Sequence, residues 1–203
     1  HPLSRDRVNF LDQGMKSSDF TNRTDSPELQ FRHDMAKAKI HGFLDHPSTT
    51  FRRYANQNNL PARYARSIAF YKNGETQKAV ELVDKLITTQ PNNPYFHELK
   101  GQILYEAGKL KKSIAPYRKS VALAPDEPLL QIGLATSLLS LENKSSAEEA
   151  RGILKKSLRI EEDNITAFYQ MATAYALLGD TGRAELATAE RYYILGNIKK
   201  ASM

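Results

Sequence analysis

The sequence predicts an all-α fold, a superhelix of stacked antiparallel helix pairs entered through a short helical arm. Three observations carry that expectation. Asn73-Gly74-Glu75 recurs as Ala107-Gly108-Lys109, 34 residues on, and Gln90-Pro91-Asn92 recurs as Ala124-Pro125-Asp126 at the same shift. Two independent landmarks that hold one spacing mark an internal repeat. Between them apolar residues follow the helical period, and no segment alternates with period two for long enough to make a strand.

Residues 1–59 lack the repeat and read as a helical arm and linker. Ser4-Arg5-Asp6-Arg7 before Val8, Phe10 and Leu11 predicts a short helix with a Ser cap. Residues 14–26, rich in Ser, Thr, Asp and Asn, read as linker. Ser26-Pro27-Glu28-Leu29 is a helix start, with Ser as cap and Pro in the first position. That helix is expected to reach Leu44, with Phe31, Met35, Ala38 and Phe43 apolar, and to end before His46-Pro47. A second is expected near Thr49 to Gln57, stopped at Asn58-Asn59.

The repeats occupy residues 60–203, about four units. The first has a helix from about Pro61 to Lys72, a reversal at Gly74, and a helix from about Thr76 to Thr89. The buried side of that second helix should hold Ala79, Val80, Leu82, Val83, Leu86 and Ile87. Pro91 then bars continuation. The second unit runs from about Pro94 to Ala124; Gly101 is the small residue at the helix crossing, and Pro116 falls in the first turn or two of its second helix. The third starts near Pro128, and Glu142-Asn143-Lys144-Ser145-Ser146 reads as a longer turn replacing the Gly turn. The fourth carries Phe168, Met171, Ala172, Tyr175, Gly179 and Ala184, and a half-step repeats Gly179 and Ala184 as Gly196 and Ala201. A 34-residue unit with Gly between its helices and Pro after the second is the tetratricopeptide repeat (TPR) pattern. The stack reads as cut inside its next helix, leaving an apolar face that capping helices normally cover. His1 at the start, without an initiator Met or leader, likewise reads as a cut in a longer chain.

Chemistry is hard to find. There is no Cys, which excludes disulfides and thiolate metal sites. His97-Glu98-Leu99-Lys100-Gly101 begins like the zinc-protease sequence HExxH, but Gly101 stands where the second imidazole is needed. His41 and His46 are five apart, not a usual ligand spacing. Gly179-Asp180-Thr181-Gly182-Arg183 lacks the Lys-Ser/Thr pair of a phosphate loop and reads as a helix turn. The net charge of +6 suits an acidic partner, yet the basic residues are scattered among acids, so no nucleic-acid partner is expected. No apolar run approaches the roughly 20 residues that span a bilayer. This chain is therefore expected to be non-enzymatic, with no cofactor or metal of its own.

Several strings nevertheless resemble one family. They are His1-Pro2-Leu3-Ser4-Arg5-Asp6-Arg7, Ala36-Lys37-Ala38-Lys39-Ile40-His41-Gly42-Phe43-Leu44, Asn93-Pro94-Tyr95-Phe96-His97-Glu98-Leu99-Lys100-Gly101-Gln102 and Ala115-Pro116-Tyr117-Arg118-Lys119. Together the chain resembles the C-terminal TPR region of bacterial periplasmic zinc metallopeptidases of the HExxH type, relatives of the CAAX prenyl protease family. The resemblance implies a zinc endopeptidase parent in the periplasm, whose catalytic domain precedes this chain and would be one of its partners. No position here matches the family's metal histidines or catalytic Glu. His1, in the His-Pro-Leu segment, is expected to approach and modulate the parent's zinc site.

The expected function is partner holding: a groove lined by the first helix of each pair, presenting a protein or peptide to the parent protease. Its lining should include Tyr64, Ile68, Tyr71, Gln102, Tyr105, Thr136 and Tyr169. The alternative is a standalone TPR scaffold unrelated to proteolysis.

Overall fold

A computed structural model describes residues 2–202, with side chains from Ser4 onward. Among the described residues there are twelve helices and no strand. The chain divides into two compact units, one ending at Lys37 and the other running from Ala38 onward. The division falls inside a helix, and the second unit takes in residues 38–59 as well as the repeats.

In the first unit, α1 (Pro2–Lys16) is longer than expected, so Ser4 lies within it and does not cap it. The helix continues through the start of the expected linker because Gly14 alone costs only about 1 kcal/mol, while Asp12 and Lys16 pair at 3.6 Å. It ends where the Ser17 hydroxyl donates to the Gln13 and Gly14 carbonyls. Helix α2 (Pro27–Leu44) has the expected bounds, and the Ser26 Oγ accepts from the Leu29 N–H at 3.3 Å.

In the second unit, α3 (Pro47–Arg53) starts earlier and stops sooner than expected. Pro47 fits its first turn, and the chain leaves the helix where the Arg66 guanidinium takes the carbonyls of Tyr54 and Gln57, each at 2.6 Å. Four pairs follow: α4 (Leu60–Lys72) with α5 (Thr76–Thr89), α6 (Pro94–Glu106) with α7 (Leu110–Leu123), α8 (Pro128–Leu139) with α9 (Lys144–Ile160), and α10 (Ile165–Leu178) with α11 (Thr181–Ile194). Helix α12 (Ile198–Ala201) comes last. Each second helix packs on its own first helix and on the one that follows, and α6, α8 and α10 also touch in succession. The fold is thus an all-helical TPR-like superhelix.

The turns explain the spacing. Gly74, Gly108, Gly179 and Gly196 all take positive φ, between 71° and 82°, and the next helix always begins two residues later. Glu142 stands 34 residues after Gly108 and takes φ 52°, and α9 again begins two residues later. The third turn, residues 140–143, is one residue longer than those after α4 and α6, as expected, but Lys144, Ser145 and Ser146 belong to α9 and not to the turn. The three extra residues of that unit lie inside α9, which has 17 residues where α5, α7 and α11 have 14. Three residues are nearly one helical turn, so the buried stripe of α9 keeps its facing. Asparagine marks the helix starts in a second repeating series: Asn59, Asn93 and Asn164 accept from backbone N–H groups of α4, α6 and α10.

Tyr117 holds the second and third pairs together. It is 6% exposed, and a Cβ at Gly101 or Gly133 would come within 2.7 and 2.8 Å of its ring. Both glycines exist to admit that ring. Pro116 lies at the seventh residue of α7, at the end of the second turn as expected, where it cannot donate to the Lys112 carbonyl. Of the expected buried side of α5, Ala79, Val83 and Leu86 are buried, while Val80, Leu82 and Ile87 are only half-buried.

Candidate partner-binding surface

Polar bridges link the C-terminal ends of successive first helices. The Tyr71 hydroxyl donates to the Glu106 carboxylate, whose other oxygen accepts from Gln102 Nε2 at 3.0 Å. Tyr105 and Ser140 share a hydrogen bond of 3.0 Å. Both tyrosine contacts span 35 residues, so the bridge recurs once per repeat. At the next step the corresponding pair is Leu139 and Leu177, and both join the apolar core. Burial, and then the hydrogen bond to Glu106, pushes the Tyr71 phenol well above its ordinary range.

Of the residues expected to line the groove, Tyr71, Gln102, Tyr105 and Thr136 are half-buried and Tyr169 is 54% exposed. Tyr64 and Ile68 are only 2% and 0% exposed, so they cannot form part of an open surface. For Ile68 the physical reason lies outside the repeat. Gly42 lies against Ile68 so closely that a Cβ there would come within 2.8 Å of it. Lys72 Nζ donates to the carbonyls of Phe43 and Asp45 at 2.6 and 2.8 Å. Lys39 pairs with Glu98 at 3.3 Å and lies over the Tyr95 ring. Tyr64 packs on Phe96, with ring centroids 5.3 Å apart. The end of α2 thus covers the first-helix face of the first two pairs. The open part runs over α8 and α10, where Leu129, Ile165 and Tyr169 are 69%, 39% and 54% exposed. Arg191 lies over the Tyr169 ring at 5.3 Å.

Leu129, Glu106 and Ser140 were not singled out from the sequence, although the 35-residue offset from Tyr71 and Tyr105 points to the last two. The His97-Glu98 pair separates: Glu98 turns to Lys39, and His97 Nε2 bonds the Pro91 carbonyl at 2.8 Å. Among the described residues no three His, Cys, Asp or Glu are placed to hold a metal ion, and no helix is long and apolar enough to cross a membrane. His1 lies outside the described residues.

Residues 64–128 match the sequence family described as tetratricopeptide repeat. The TPR repeat-containing protein MJ1428 of Methanocaldococcus jannaschii is 27% identical over 143 residues, which is 68% of this chain and 23% of that protein. The chain therefore spans about a quarter of that relative's length. Among solved structures, YrrB, described as a TPR protein with an unusual peptide-binding site, aligns with TM-score 0.64 and 13% identity over 93% of this chain and 95% of that one. MamA of Desulfovibrio magneticus RS-1 aligns with TM-score 0.64 and 18% identity over 84% and 95%. Sequence over residues 64–128 and backbone over most of the chain agree: this is a tetratricopeptide-repeat fold.

Proposed function

We propose that the chain is a non-catalytic protein-interaction region that holds a peptide or protein segment on the open first-helix face of α8 and α10. The observation that carries this is the exposed apolar row of Leu129, Ile165 and Tyr169 beside the polar rim of Thr136 and Ser140. An apolar strip with a few placed polar groups suits a peptide backbone and its anchoring side chains. YrrB, which has the same fold, is described by its peptide-binding site. The test is to place a photo-crosslinkable benzoylphenylalanine at Leu129 or Tyr169 in the native protein. Crosslinks at both positions, and none at Lys155 on α9, are expected. Equal labelling at Lys155, or none at either position, would overturn the reading. Tyr169→Ala should weaken the same capture.

The partner-holding region belongs, in this proposal, to a periplasmic zinc metallopeptidase, and presents substrates or envelope proteins to its catalytic domain. Support comes from the resembling strings, above all Asn93 to Gln102. Zinc would be held by the parent's upstream residues, with His1 close enough to modulate it. The native full-length protein should then contain zinc, lose proteolytic activity to a chelator, and fractionate with the periplasm. A full-length protein without bound zinc or proteolytic activity would leave the standalone scaffold as the reading.

A further inference from the structure

A second surface, formed mainly by the second helices, has the chemistry of a binding site. Between α5, α6 and α7 lies a cavity of about 620 Å³, within the roughly 300–1,000 Å³ range of ligand sites. Its apolar floor is Val80, Ile87, Leu104 and Ala115. Its cationic lining is Lys100, Lys109, Lys112 and Lys119. Lys100 is neutralised by Asp84 at 2.5 Å, but among the described residues the other three lysines have no ion pair.

The cavity lies where this repeat departs from the two that follow it; the preceding α4 is also basic there, with Arg63 and Arg66. His97 and Lys100 occupy the positions that hold Gln131 and Leu134 in α8, 34 residues on, and Phe168 and Met171 in α10, 37 residues further. Leu134 and Met171 are 3% and 4% exposed, so the equivalent positions there are packed. In α6 the place is taken by a lysine drawn aside to Asp84 and a histidine bonded to the Pro91 carbonyl. Pro116 adds an independent feature. It lines the cavity in the middle of α7 and deprives the Lys112 carbonyl of its intrahelical donor. A helix-interior proline costs about 3 kcal/mol or more, and here it leaves a backbone acceptor beside the cationic wall.

We propose that this groove binds an acidic, amphipathic segment of a partner protein, with apolar side chains on the floor and carboxylates against Lys109, Lys112 and Lys119. Charge complementarity selects the acidic class. The lining holds no Tyr or Phe on which bases could stack, and it includes the Asp84 carboxylate, which argues against a nucleic acid.

The probe is a fluorescein-labelled twelve-residue peptide of alternating Leu and Glu, added to the intact chain and followed by anisotropy. Saturable binding that weakens with salt is expected. Lys112→Glu with Lys119→Glu should weaken it at least tenfold, while Lys155→Glu with Lys156→Glu on α9 should change it less than twofold. Circular dichroism of each variant checks that the helices remain. Tyr105→Ala with Tyr169→Ala should leave peptide affinity intact, so failure of the first-helix face as a binding surface would be seen separately. No saturable binding, equal weakening by both charge reversals, or displacement of the peptide by a lower concentration of single-stranded oligonucleotide than of unlabelled peptide would overturn the proposal.

Discussion

Replacing Glu142 by Gly should stabilise the protein, because Glu142 occupies a left-handed turn that glycine fills elsewhere in the repeat. Its φ is 52°, against 71° at Gly108 and 78° at Gly74. An L-residue in that conformation is strained by about 1–2 kcal/mol relative to glycine. Glycine also gains about 0.4–1 kcal/mol of freedom in the unfolded chain, which opposes the gain. The difference leaves a net stabilisation of about 0.5–1 kcal/mol. The exposed Glu142 side chain makes no ion pair among the described residues, so little is lost with it. With a urea dependence of about 2 kcal/mol per molar, the unfolding midpoint should rise by about 0.3–0.5 M. Urea unfolding followed by far-ultraviolet circular dichroism measures this directly. Glu142→Ala keeps the Cβ and should give no comparable rise. Gly108→Ala, where a Cβ would meet nothing within 4 Å, should fall by a similar amount through backbone strain alone. A lowered midpoint for Glu142→Gly, or equal gains from Gly and Ala, would refute the assignment of strain to this turn.

Gly101→Ala should destabilise by about 1–3 kcal/mol, because the added methyl meets the Tyr117 ring at 2.7 Å and Gly133 blocks its retreat. Gly152→Ala, in the middle of α9 with nothing within 4 Å, should instead stabilise by up to about 1 kcal/mol in the same urea assay. Tyr64→Phe should leave stability unchanged or raise it by about 1 kcal/mol, since the buried hydroxyl has no hydrogen-bond partner among the described residues; a loss of more than 1 kcal/mol would contradict this. Burial raises the phenols of Tyr64, Tyr71 and Tyr117 above their ordinary 10.0. Their contribution is therefore present below pH 10 and lost as pH rises further, because the unfolded chain ionises first. Urea midpoints at pH 8, 10 and 11 should fall across the upper interval, and less steeply in Tyr71→Phe.

The fold was legible wherever a local backbone rule spoke through residue identity. Helix α5 could be bounded to the residue because Gly74 and the Gln90-Pro91 step are chemically distinct from their neighbours. The turn at Glu142 was hidden for the converse reason: a left-handed glutamate looks like any surface residue in sequence, so Glu142 to Ser146 reads as a turn although α9 already begins at Lys144. The groove was partly legible for a different reason. Tyr71, Gln102, Tyr105, Thr136 and Tyr169 follow from the repeat period, but the burial of Ile68 depends on Gly42. That glycine lies outside the repeat, and a contact between a repeating and a non-repeating segment leaves no period to detect.

The polar bridges suggest how the proposed partner surface is divided along the stack. At the first two steps the phenols of Tyr71 and Tyr105 are committed to Glu106 and Ser140, and the end of α2 lies over the neighbouring face. A partner using those hydroxyls would have to break existing hydrogen bonds, each contributing about 0.5–1.5 kcal/mol. At the third step Leu139 and Leu177 close the contact without using any surface hydroxyl. Leu129, Ile165 and Tyr169 then remain exposed beside it, and covering their apolar area contributes roughly 25 cal/mol per Å² without breaking an internal bond. The affinity of the first-helix face should therefore concentrate at α8 and α10. The second-helix groove at α5 to α7 takes its specificity from charge instead. Two surfaces with different chemistry, on different sets of helices, could be occupied at once, and neither requires the other to change shape.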